Sequence, residues 1–192
     1  MSSASGVVLA GGMSRRMGVD KRLILVDGEP LLRRVARVVS VATDELIVVV
    51  APGRPLPDGV LEYLDARVEV DRLADAGPLA GLESGLAAAS HELAVVVAAD
   101  LPLLDARLLR HLVDMLAATD ADVVAAATDR GPQPLLAAYR RDPALAAATR
   151  LLDAGERRMR ALLEVLAVVE VVADVRATTN VNEPADLAEA TR

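Results

Sequence analysis

The chain has 192 residues, a hydrophobic fraction of 53%, aromatics at 1% and a net charge of -7. That length suits a single domain over residues 1–192 with an aliphatic core of Val, Leu and Ala. Having no cysteine excludes a disulfide framework, a thiolate metal site and a cysteine nucleophile; two histidines speak against a histidine-rich metal site, and the acidic balance speaks against general binding of nucleic acid.

The opening MSSASG has no basic region leading into a long apolar run, and no stretch approaches the roughly 18 apolar residues of a membrane helix. A soluble, cytoplasmic, monomeric protein with no membrane partner is expected. The first strand, at 6–10, runs into LAGG, and Gly11 and Gly12 are followed by Gly18. Glycines here either let backbone N–H groups approach an anion or simply make a tight turn. Two familiar phosphate motifs fail on spacing. Five residues separate Gly12 from Gly18, Val19 rather than lysine follows, and no G-x-G-x-x-G is present.

Lys21 is the single lysine beside twenty arginines. A chain that accepts arginine wherever a generic cation serves keeps lysine where a compact ammonium is needed, as between phosphate oxygens. Around it, Met13–Arg34 holds six basic residues, Arg15 among them, against three acidic ones. Such an island suits a small anion better than a polymer.

A helix opened by Pro30 as its first residue follows, burying Leu31, Leu32, Val35, Val38 and Val39 and turning Arg33, Arg34 and Arg37 outward. Then come a strand at 46–51, a Pro/Gly-rich surface loop at 51–59 and a strand at 67–70. Asp71 and Asp75 fall in the loop after that strand, and Gly77 and Gly81 around the start of a helix at 78–89; they suit a ligand, or merely the entry to a helix. The strand at 93–99 ends at Asp100, with Pro102 stopping the ladder. A carboxylate there is placed to hold Mg²⁺, which takes one or two carboxylates plus phosphate oxygens. Asp105 is the better N-cap, for a helix at 105–118.

Strands at 122–127, 134–139 and 167–172 and helices at 142–153, 156–166 and 183–190 complete the chain. GERRMR, containing Arg157, is either a phosphate clamp or a solvated helix face. In TTNVNEP, Asn180 and Asn182 offer caps or cleft residues. His91 and His111 read as surface residues.

This alternation implies an α/β, Rossmann-like, three-layer fold with a mostly parallel or mixed central sheet covered on both faces. Ligands of such sheets gather outside the strands' carboxyl ends, which selects 10–21, 51–54, 71–81 and 100–104. Glycine loop, lone lysine, aspartate and Mg²⁺ together point to phosphoryl or nucleotidyl transfer, which works largely by orientation and charge stabilisation.

LAGGMSRRMGVDK also resembles the L-A-G-G-x-S-x-R-M-G-x-D-K signature of nucleotidyltransferases, and GPLAGLESGL, AADLPLL, GERR and NVNEPADL follow in the order seen in the molybdenum cofactor guanylyltransferase family. The resemblance implies transfer of GMP from GTP to the phosphate of molybdenum-bound molybdopterin, releasing pyrophosphate. It implies that Leu9, Ala10, Gly11, Gly12, Asp71 and Gly77 bind the nucleotide, with Lys21 on its phosphates and Asp100 on both Mg²⁺ and GTP. Arg15, Arg157, Asn180 and Asn182 would lie toward the pterin substrate, and transient contact with cofactor-insertion proteins or molybdoenzymes would follow. One departure is the loop after the second strand, where the family often has a nucleotide-contacting asparagine and this chain has APGR. Cytidylyl transfer, whose enzymes carry L-A-A-G, and a non-catalytic nucleotide-binding partner protein are the alternatives.

Overall fold

The computed structural model describes residues 2–11, 20–73 and 76–174. Seven strands form one sheet: β1 (Ala4–Leu9), β4 (Glu45–Val50), β5 (Ala66–Val70), β6 (Leu93–Ala98), β7 (Val123–Thr128), β8 (Gly131–Arg140) and β9 (Val168–Val172), in the order β5-β4-β1-β6-β8-β7-β9. All pairings are parallel except those of β8, which is antiparallel to β6 and β7. The sheet is therefore mixed. The cause is local: only Asp129 and Arg130 separate β7 from β8, too few for a crossover, so the chain must turn back on itself.

Helices α1 (Leu31–Ala42) and α3 (Ala106–Ala117) cover one face, and α2 (Pro78–Ala88), α4 (Arg141–Asp153) and α5 (Met159–Val165) the other. Successive strand residues feed alternate cores. Val95 and Val97 of β6 pack with α1 and α3, whereas Ala94 and Val96 pack with α2 and α4. Burial on both faces explains why these strands read as unbroken apolar runs.

Pro30 immediately precedes α1 instead of occupying its first position, and Val38 is only partly buried. It belongs to a two-stranded ribbon, β2 (Leu25–Val26) with β3 (Glu29–Pro30), not foreseen from the periodicity. Its turn residues Asp27 and Gly28 both have positive φ, at 50° and 80°, as a tight hairpin requires. Asp105 caps α3 as expected, accepting from Arg107 N–H at 2.9 Å. His111 is exposed, but His91 is half-buried and its Nδ1 lies 3.1 Å from the oxygen of fully buried Ser5. The expected helix at 183–190 lies outside the described residues.

Candidate nucleotide site

Chain order reverses about β1. The path moves from β1 outward to β4 and β5, then returns to place β6 on β1's other side. Such a switch point leaves a crevice at the carboxyl ends of the central strands. A cavity of about 520 Å³ lies there.

The ladder holds its floor beyond the strands themselves. Ala10 N–H donates to the Val49 carbonyl at 2.8 Å, Ala99 N–H to the Leu9 carbonyl at 3.1 Å, and Asp71 N–H to the Val50 carbonyl at 2.8 Å. Gly11 suits this closeness, because a Cβ there would stand 3.3 Å from the Ala51 nitrogen. At the rim, Gly77 has φ 78°, a left-handed conformation costly for other residues, and leads into α2 through Pro78.

Leu9, Ala10, Gly11, Lys21, Asp71, Gly77 and Asp100 all line this one cavity, so the structure brings together most of the residues singled out from sequence. Lys21 opens a 3₁₀ turn, Lys21–Leu23, capped by Asp20, whose carboxylate accepts from Arg22 N–H at 3.1 Å. Asp100 follows β6. Burial pushes its carboxyl above the usual range, and the Lys21 ammonium offsets part of that rise. Its Oδ1 is buried with no hydrogen-bond partner among the described residues.

Asp71 is also pushed up, mainly by burial; Leu73 N–H and the Ser84 hydroxyl, donating to its Oδ1 at 3.0 and 3.5 Å, oppose the shift. The loop carrying Asp71 is held by α2. Ser84 Oγ also accepts from Arg72 N–H at 3.3 Å, and Arg72 pairs with buried Glu83 at 2.7 Å.

Arg157 is placed differently. Its guanidinium donates to the carbonyls of Leu152 and Glu156, at 2.9 and 2.8 Å, tying off the end of α4. Only its carbonyl approaches the rim, 3.6 Å from where a Cβ on Gly77 would stand. Neighbouring Arg158 is paired with Glu156, whose carboxyl is held down to about 2 by hydrogen bonds from Arg158 and from the backbone of Arg157 and Arg158. Gly12, Arg15, Asp75, Asn180 and Asn182 lie outside the described residues.

Two wall residues, Arg54 and Leu135, were not singled out in the sequence. Arg54 falls in a segment the strand-end rule selected, without a pattern to mark it. Leu135 reaches the cavity because β8 starts at the carboxyl end of its neighbours, a consequence of the short β7–β8 connection.

A metal needs donors. Among the described residues no group of three or more His, Cys, Asp or Glu side chains could form a dedicated cage. Mg²⁺ does not require one, since it keeps waters and substrate oxygens around one or two carboxylates. The unpartnered buried oxygen of Asp100 fits that demand. Among the described residues, no helix is long and apolar enough to cross a membrane.

The chain matches the family model described as the MobA-like NTP transferase domain over residues 6–171. It is 35% identical to a probable molybdenum cofactor guanylyltransferase of Natronomonas pharaonis, covering 99% of this chain and 98% of that protein. A protein of the same description from Mycobacterium tuberculosis is 39% identical over 95% of this chain and 90% of its own. Among solved structures, molybdopterin-guanine dinucleotide biosynthesis protein A from Archaeoglobus fulgidus superposes with a TM-score of 0.77 at 27% identity, covering 97% of this chain and 96% of that one.

Proposed function

The chain belongs to the MobA-like NTP transferase family and is a nucleotidyltransferase; from that premise we propose that it transfers GMP from GTP to the terminal phosphate of molybdenum-bound molybdopterin. The products are molybdopterin guanine dinucleotide and pyrophosphate. The acceptor's phosphate oxygen attacks the α-phosphorus of GTP, a new P–O bond forms, and the bond to the β-phosphate breaks in line with it.

The observation that carries this reading is the meeting of Lys21 and Asp100 on one switch-point cavity, with the Lys21 charge acting on an Asp100 carboxyl whose buried Oδ1 has no hydrogen-bond partner among the described residues. An ammonium offsets charge on the triphosphate and on departing pyrophosphate. The backbone around Leu9, Ala10 and Gly11 positions the nucleotide, while Asp71 and Gly77 border it. Orientation and charge compensation of this kind are the main devices of phosphoryl-group transfer. Mg²⁺ would be held by Asp100, and when bound would supply positive charge to the phosphate oxygens.

In this reading Gly12 joins the nucleotide-binding residues, and Arg15, Asn180 and Asn182 bind the pterin substrate; Arg157, whose guanidinium ties off α4, meets the cavity rim through its carbonyl. Residues 1–192 act as one catalytic domain, monomeric and cytoplasmic, with its product passing to cofactor-insertion proteins or molybdoenzymes. The test is product identity. Purified protein, GTP, Mg²⁺ and molybdenum-loaded molybdopterin should yield the guanine dinucleotide, identified by its mass, with one pyrophosphate per product; unchanged acceptor and GTP would refute the proposal.

A further inference from the structure

Three arginines of the basic island turn their guanidinium groups onto main-chain carbonyls across from them: Arg22 onto Arg54 and Pro55, Arg33 onto Gly59 and Val60, and Arg34 onto Pro102. Arg22 stands apart from the other two. It is buried, with 8% exposure, and it directly follows Lys21, the last residue of the nucleotidyltransferase signature.

All three guanidinium nitrogens of Arg22 are engaged. Nε lies 2.9 Å from each oxygen of Asp20, Nη2 donates to Asp20 Oδ2 at 2.5 Å and to the Pro55 carbonyl at 3.4 Å, and Nη1 donates to the Arg54 carbonyl at 3.1 Å. The Asp20 carboxyl is held below its usual range, chiefly by the side-chain hydrogen bond from Arg22. Because Asp20 also caps the turn by accepting from Arg22 N–H, the residues on either side of Lys21 are locked to each other. A fork committed in this way holds backbone rather than ligand.

The turn Lys21–Leu23 has only three residues, too short to stand on its own hydrogen bonds. Its anchor is firm. Arg54 N–H donates to the Ala51 carbonyl at 3.1 Å around a Pro52–Gly53 corner, and Gly53 has φ 71°, the type II pattern. Ala51, Arg54, Lys21 and Asp100 line one cavity, and the Lys21 charge acts on the Asp100 carboxyl. Fastening the turn to segment 51–55 therefore fixes where Lys21 stands on that cavity.

We infer that Arg22 is the positioning residue of Lys21, its ion pair with Asp20 and its bonds to the Arg54 and Pro55 carbonyls holding the ammonium in place against the reacting phosphates. This rests on the guanylyl-transfer reading for what Lys21 does, though not for how Lys21 is held. Misplacing a catalytic group by about 1 Å costs about 100-fold in rate. Attraction between an ammonium and a triphosphate changes little over that distance, so loss of Arg22 lowers kcat and leaves KM for GTP nearly unchanged.

Since Lys21 is the single lysine, isotope-labelled lysine gives an NMR signal from this residue alone. The experiment records that signal in the ligand-free full chain, and kcat and KM for GTP with Mg²⁺ and molybdenum-loaded molybdopterin, for the wild type, Arg22→Ala, Asp20→Asn and Arg140→Ala, with thermal melting to establish which are folded. Arg140 is the control, because it also donates to carbonyls, those of Leu116, Thr119 and Ala121, but at the opposite end of the sheet. Folded Arg22→Ala moves the Lys21 backbone signal toward the position of an unstructured chain and loses about 100-fold in kcat with little change in KM. Arg140→Ala lowers the melting temperature and leaves both readouts alone. Asp20→Asn, which keeps an acceptor for Arg22 N–H, shifts both in the same sense by less, and decides the matter where Arg22→Ala does not fold. An unmoved Lys21 signal in the folded variants overturns the inference, and so does a loss confined to KM, which places Arg22 on the nucleotide. A wild type that transfers no GMP overturns the reading of Lys21 chemistry, and the Lys21 signal then decides alone whether Arg22 holds it.

Discussion

Replacing Asp100 with asparagine tests stability and chemistry in one variant. Oδ1 of Asp100 is buried and lacks a hydrogen-bond partner among the described residues, and desolvation is the largest influence on its carboxyl. An unsatisfied buried polar group costs about 1–3 kcal/mol, and a charged one more, from which the attraction of Lys21 subtracts. Asparagine keeps the shape and removes the charge, so the ligand-free protein should gain about 1–2 kcal/mol. For a chain of this size that raises Tm by about 2–8 °C. Pyrophosphate release with GTP, Mg²⁺ and acceptor should meanwhile fall to background. The pH dependence has a definite sign. A carboxyl whose pKa is raised on folding is penalised only when ionised, so the two proteins should have equal stability below the ordinary aspartate range and diverge as pH rises through it and above. Urea melts from pH 3 to 8, in about one-unit steps, read that difference. A variant less stable than the wild type at neutral pH, or one that turns over normally in Mg²⁺, would refute the assignment of Asp100 as a strained charge kept for its chemistry.

Lys21→Arg retains the charge yet should lose most activity, because a planar fork does not replace a compact ammonium beside Asp100; near-normal turnover would sink the point-charge argument. At the opposite end of the sheet, Glu45 is penalised by burial but held net below its usual range by hydrogen bonds from Ser5, Ser90 N–H and Ser90 Oγ and by the charge of Arg67. Its contribution is complete above the unfolded glutamate range and lost as pH falls through the lowered value. Glu45→Ala should cost about 1–3 kcal/mol in urea melts at pH 7, with the gap closing in acid; an unchanged midpoint would contradict this. Gly85→Ala should destabilise by about 1–3 kcal/mol, since a Cβ there would overlap Val7 Cγ1 where α2 crosses β1; a stability gain would show that this contact yields freely.

The central strands were legible because each is a short apolar run, and burial on both faces makes such runs unmistakable in Leu93–Ala98 and Val123–Thr128, whereas edge strand β5 alternates charged Arg67 and Glu69 with valines. The antiparallel course of β8 was readable in principle. Six residues between the expected strands 122–127 and 134–139 leave no room for a crossover, though only the register of β6 on β8, running from Leu93 opposite Arg140 to Val97 opposite Leu136, establishes the direction. The β2–β3 ribbon was harder, being two residues a strand, with Asp27–Gly28 as its single signal. For the site, the strand-end rule and the lone lysine led to Gly11, Lys21, Asp71 and Asp100, since sheet topology converts sequence position into place. Arg54 was invisible for the opposite reason. Among twenty arginines, what distinguishes it is its place on the cavity wall and the Arg22 bracing behind its loop, and both are three-dimensional facts.

The most direct test of guanylyl transfer is a pyrophosphate-release screen of GTP, CTP, ATP and UTP, each with Mg²⁺ and molybdenum-loaded molybdopterin. The account predicts acceptor-dependent release with GTP well above the other three. Preference for CTP, or no release with any of the four, would contradict it.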